Sequence, residues 1–237
     1  MLTNFQKTKI LSIFTAIVML IANYMIFFYL PQMRGGAGEL LGSSFKIFYF
    51  HLPIAITSYL AFFVVFVASI LYLKKGTHNW DVLARSSAEI GLIFAALVLV
   101  TGSIWGHATW GVYWTWNDIR LVTSLVLFLV YIAYLMMRQA IEEPEKRARL
   151  SAVFGIVGFA SVPLSFLSIR IWQSYAHPLM FGQGVQESGG GLEGTSLKLT
   201  LIVNFIAYFL LYATILAYKV QNENIQEEIS AKKQSLE

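Results

Sequence analysis

Residues 47–73 read IFYFHLPIAITSYLAFFVVFVASILYL, a run without a single Asp, Glu, Lys or Arg. A bilayer hydrocarbon core about 30 Å thick is crossed by roughly 20 apolar residues of helix, so this stretch predicts a membrane span. Its apolar residues are continuous rather than alternating, which favours a helix over a barrel strand, and a helix satisfies its own backbone hydrogen bonds in lipid. Five more such stretches lie at 10–30, 88–104, 119–137, 150–169 and 197–218. The chain therefore reads as an all-α polytopic membrane protein with six transmembrane helices, an integral membrane domain over residues 1–218 and a polar tail over 219–237. The first stretch runs into Leu30-Pro31-Gln32-Met33-Arg34 without a small-x-small cleavage site, so it is expected to stay as a helix rather than leave as a signal peptide.

Composition agrees. Of 237 residues 57% are hydrophobic and 13% charged, with a mean hydropathy of +0.64, where a soluble domain carries about a quarter charged residues. A water-soluble enzyme is disfavoured, as are disordered and collagenous chains. The absence of Cys removes thiolate nucleophiles, Cys-ligated metals and thiol redox chemistry.

Orientation follows from Lys and Arg counted loop by loop. Arg34, Lys46, Arg120, Arg170 and Lys198 fall on one side, and the remaining majority of the 17 fall on the other. Both termini are thus expected to be cytoplasmic. The net charge of +4 is then mainly a topology signal, with no support in it for nucleic-acid binding. The cytoplasmic connections, residues 74–87 and 138–149, read as plain charged loops, with His78 solvated in the first. No function is assigned to Glu89, and Pro163 is expected to kink the fifth helix.

The outward side holds the unusual residues. Residues 105–120, WGHATWGVYWTWNDIR, place Trp105, Trp110, Trp114 and Trp116, four of the 6 tryptophans, in what reads as one connection between the third and fourth helices. Such a cluster is either an interfacial aromatic belt or a wall on which a flat apolar ligand stacks. His51 opens the second helix at its outward end, and His177 lies in the last outward loop. Two neutral imidazoles flanking a tryptophan-rich segment suit a planar metal macrocycle held by axial nitrogens, with His107 as a rival ligand. Arg34, Lys46, Arg120 and Arg170 are placed to pair with carboxylates of such a ligand or merely to snorkel to the interface.

The segment Thr101-Gly102-Ser103-Ile104-Trp105-Gly106 followed by Trp110-Gly111-Val112-Tyr113-Trp114-Thr115-Trp116-Asn117-Asp118 resembles the tryptophan-rich WWD signature of haem-handling proteins in cytochrome c maturation. Six spans, the chain length, Phe50-His51-Leu52-Pro53 and the late His177 make it most similar to the CcmC family, over roughly residues 45–218. The family pattern reads Trp-x-Trp-Asp, whereas here Asn117 stands in the acidic position and Asp118 follows one place later. The resemblance implies that the outward face, with Trp110, Trp114, Trp116, Asp118 and Arg120, holds haem b. It further implies that His51 and His177 are the axial ligands, and that haem is presented on the outer side of the inner membrane to the anchored haem chaperone CcmE. Partners implied with it are the ATP-binding cassette subunits CcmA and CcmB and the small helper CcmD. The chain would then be the haem-handling half of a lyase activity.

Two other classes stay open on the residues alone. A cytochrome b-like electron carrier would use the same ligands for redox turnover and usually needs a second haem to cross the membrane. A haem-free subunit or permease would use the tryptophans as a protein interface and would be colourless. The visible spectrum of the purified protein separates the three.

Overall fold

The computed structural model describes residues 4–31, 43–172 and 194–234. Helix α1, Asn4–Tyr24, continues into a π-helical turn, Met25–Tyr29. A 3-10 turn, Ser43–Ile47, leads into α2, Phe48–Lys75. Then follow α3, His78–Trp110; α4, Ile119–Ala140; α5, Pro144–Gly158; α6, Ser161–Ile171; and α7, Thr195–Gln234. Among the described residues, six helical stretches, with α5 and α6 together forming the fifth, are long and apolar enough to cross a membrane. The six spans expected from hydropathy are all present.

Their ends differ from the sequence reading in physically instructive ways. Helix α3 begins at His78, ten residues before the predicted start, so the expected loop over 74–87 shrinks to Gly76 and Thr77. Gly76 takes the left-handed conformation at φ 64° and donates to the Tyr72 carbonyl at 2.8 Å, the glycine cap that stops a helix abruptly. The polar residues beyond it stay helical because their charges find partners on neighbouring helices. Helix α7 likewise runs unbroken past residue 218 through the polar segment.

Pro163 does disturb the fifth span, and the break falls one turn upstream of it. Lacking an N–H, Pro163 cannot bond to the Phe159 carbonyl. Val162 donates to that carbonyl instead at 3.0 Å, Ala160 donates to Val157 at 3.1 Å, and the Ser161 hydroxyl donates to the Gly158 carbonyl at 2.6 Å. The expected kinked helix is two helices, α5 and α6.

Without a hydrophobic effect between helices in lipid, close approach at small residues and buried hydrogen bonds must hold the bundle. A Cβ on Gly91 of α3 would stand 2.7 Å from Phe62 Cε1 of α2, so only glycine admits this crossing. The Phe62 ring stacks in turn on Tyr131 of α4, centroids 3.5 Å apart. Ser87 of α3 donates to the Ala61 carbonyl at 2.7 Å while lying 2.7 Å from the Tyr212 hydroxyl of α7, which joins three helices. Thr15 and Thr214, 2.8 Å apart, join α1 to α7.

Candidate functional site

The N-terminal ends of α2, α4 and α7 and the C-terminal ends of α3 and α6 lie at the end of the bundle opposite the start of α1 and the far end of α7. His51 stands in the first turn of α2 and is fixed by its neighbours. Phe48 and Tyr49 are buried in a cluster with Ile26, Leu197 and Leu201, which sets the rotation of the helix. His51, three residues after Phe48, therefore shares its face. Both rings meet the edge of Trp105 on α3, at centroid distances of 6.1 Å for Phe48 and 6.0 Å for His51. His51 Nδ1 lies 2.9 Å from the Thr101 hydroxyl. Beneath the imidazole lies Gly102, where a Cβ would come within 3.1 Å of His51 Cε1.

A crevice opens beside this ring. His51, Ala55 and Tyr59, at helical spacing on α2, line it together with Gly102 of α3 and Arg120 and Ser124 of α4. The fold thus brings two predicted site residues, His51 of α2 and Arg120 of α4, to one place from helices far apart in the chain. Arg120 Nη1 also reaches the Phe166 carbonyl of α6 at 3.5 Å. Asp118 is the N-cap of α4, its Oδ1 accepting from the backbone N–H groups of Arg120 at 3.0 Å and Leu121 at 3.1 Å. The carboxylate therefore sets the start of the helix that carries Arg120.

The tryptophan-rich stretch is not one connection. Helix α3 extends through Trp110, so Trp105, His107 and Trp110 are helical and only 111–118 links α3 to α4. Two glycines permit the turn. Gly111 is left-handed at φ 77°, and at Gly106 a Cβ would meet the Val112 carbonyl at 3.1 Å and the Trp110 ring at 3.2 Å. Trp114 and Trp116 pack edge to face, 5.5 Å apart at 74°, so they do not form a single flat wall. Trp116 is 71% exposed. His107 stacks on Tyr113 at 4.1 Å, away from the crevice. The indole N–H groups of Trp105 and Trp114 are buried without an acceptor among the described residues.

Lys46 is drawn toward α1, donating to the Phe27 carbonyl at 3.1 Å, and Arg170 lies in the last turn of α6. His177 and Arg34 lie outside the described residues. Thr101 and Gly102 touch His51 although nothing in their side chains marks them as site residues, and their signal in the sequence is their place at the head of the tryptophan-rich segment.

An imidazole, a guanidinium, aromatic edges and two acceptor-less indole N–H groups at one end of a six-span bundle suit a planar, iron-bearing, carboxylate-edged ligand. They define a multi-pass membrane protein with aromatic and polar side chains gathered at one end of the bundle. The family model for CcmC, described as heme exporter protein C, matches residues 2–235. The chain is 35% identical over 193 residues to the heme exporter protein C of Bradyrhizobium diazoefficiens, covering 79% of this chain and 70% of that one. It is 28% identical over 190 residues to the Paracoccus denitrificans protein of the same name, covering 80% and 77%. With the Escherichia coli K12 protein, also heme exporter protein C, it shares 26% identity over 181 residues, covering 76% and 71%. The chain belongs to the CcmC family, membrane proteins of haem transport in cytochrome c biogenesis.

Proposed function

We propose that this protein binds haem b at the outer face of the cytoplasmic membrane and presents it to the membrane-anchored chaperone CcmE. The observation that carries the reading is the convergence of His51 and Arg120 on one crevice beside Trp105. His51 of α2 would supply one imidazole to the iron, and His177, outside the described residues, would supply the other. Arg120 pairs with a propionate as a planar two-pronged donor. Trp110, Trp114 and Trp116 form the aromatic rim, and Asp118 holds that rim to the start of α4. The exposed Trp116 and Tyr113 are the contacts offered to the chaperone. CcmA, CcmB and CcmD are the companions expected around it.

When bound, haem supplies the iron and the vinyl groups through which it is later attached; the protein supplies binding, orientation and control of iron ligation. The charge bias along the sequence supports an orientation with both termini in the cytoplasm and this site outside.

The test is the visible spectrum of detergent-purified protein loaded with haem. The wild type should show a six-coordinate spectrum with two imidazole ligands, and the double variant His51→Ala, His177→Ala should lose it. A spectrum unchanged in the double variant removes these ligands from the reading. A second haem per chain would favour the electron carrier instead.

A further inference from the structure

We propose that Thr101 is a positioning residue for His51: its hydroxyl holds the imidazole as the Nδ1–H tautomer and thereby presents Nε2 as the ligating nitrogen. The inference rests on the reading that His51 ligates haem iron, and it assigns a partner to that ligand.

The assignment comes from counting protons. Thr101 Oγ1 lies 2.7 Å from the Leu97 carbonyl oxygen and 2.9 Å from His51 Nδ1. A hydroxyl carries one proton, and a carbonyl oxygen can only accept. If that proton pointed at Nδ1, two oxygens would face each other at 2.7 Å with nothing between them. If it points at Leu97, the hydroxyl must accept from the ring. Both contacts are hydrogen bonds only when Nδ1 bears the proton, in a chain from His51 Nδ1–H to Thr101 Oγ1–H to the Leu97 carbonyl. In the neutral imidazole the lone pair is then on Nε2.

Sterics fix the ring as firmly as the proton. Thr101, Gly102 and Trp105 lie within about one turn of α3 and touch the imidazole at Nδ1, beneath Cε1 and at its edge. A metal-bound imidazole that donates its other N–H is oriented and made more basic by the acceptor. Greater basicity favours ferric over ferrous iron, so the Thr101 contact should lower the reduction potential of a bound haem.

The tautomer is read first in haem-free, full-length protein labelled with 15N-histidine in detergent, where long-range 1H–15N correlations distinguish the two ring nitrogens. His51→Ala identifies its signals among those of the 4 histidines. The wild type should carry its proton on Nδ1, Thr101→Ser should keep it there, and Thr101→Val should give a mixture. A proton on Nε2 in the wild type, or a Thr101→Val pattern identical to it, overturns the proposal. The wild-type measurement decides even if Thr101→Val does not fold.

Haem-loaded protein is read second. Thr101→Val should bind haem roughly 10-fold more weakly and raise its midpoint potential, with both restored in Thr101→Ser. An unchanged potential overturns the tuning role. If His51→Ala retains an unaltered haem spectrum, the ligand reading fails, and the tautomer measurement still reports on Thr101 separately.

Discussion

Arg138 of α4 and Asp81 of α3 form a buried two-pronged ion pair at the end of the bundle away from His51, Nη1 to Oδ1 at 2.7 Å and Nη2 to Oδ2 at 2.8 Å. The Arg138 guanidinium also lies over the Tyr134 ring at 5.9 Å. Arg138 and Asp81 are 7% and 8% exposed, so water cannot replace a lost partner. Asp81→Ala should therefore destabilise the protein by about 3–5 kcal/mol, because it strands a buried charge. The double variant Asp81→Leu, Arg138→Met should recover most of that loss. Thermal unfolding in detergent measures both, and a single variant melting with the wild type would refute the argument.

Glu89, for which the sequence suggested no role, clamps α3 to α7. It accepts from Arg85 at 3.0 Å and from Lys219 at 2.6 Å. Its side chain is 28% exposed, so screening limits what these pairs contribute. Glu89→Gln should cost no more than about 1 kcal/mol, and the cost should shrink as salt is raised. A loss as large as that of Asp81→Ala would contradict this ranking.

Asp118 offers a way to separate capping from ligand contact. Asparagine caps a helix about as well as aspartate, while alanine forfeits about 1 kcal/mol. If the carboxylate acts through the N-terminus of α4, Asp118→Asn should melt and retain haem like the wild type, and Asp118→Ala should lose both stability and haem affinity. Loss of haem from Asp118→Asn at unchanged melting temperature would instead assign the charge a direct part in binding.

Gly102 gives opposite predictions for fold and site. Alanine is the better helix residue by up to about 1 kcal/mol, yet its Cβ would press on the His51 ring. Gly102→Ala should fold normally and bind haem on the order of 10-fold more weakly. Spectral titration with haem, alongside thermal unfolding, reads the two effects independently.

Hydropathy made the six spans legible because each needs only its own run of apolar residues to be helical in lipid. The same physics hid their ends. A sliding apolar window cannot register that the polar first turns of α3 are helical because Asp81 meets Arg138, or that α7 continues because Lys219 meets Glu89. It also spread four tryptophans over a loop, when the glycine that ends α3 is Gly111 and residues 105–110, with Trp105, His107 and Trp110 among them, belong to the helix.

For the site, residue types alone fix which side groups are available: the imidazoles, the indoles and Arg120, in a chain too apolar to work in water. Which of them meet depends on how the helices pack. His51 and Thr101 are 50 residues apart in the chain, and Arg120 joins them from a third helix. Side-chain type is a local property, whereas the direction of a hydrogen bond between two helices depends on their rotation and separation. Those are set by distant packing, at Gly91 against Phe62 and at Phe48 and Tyr49 against α7.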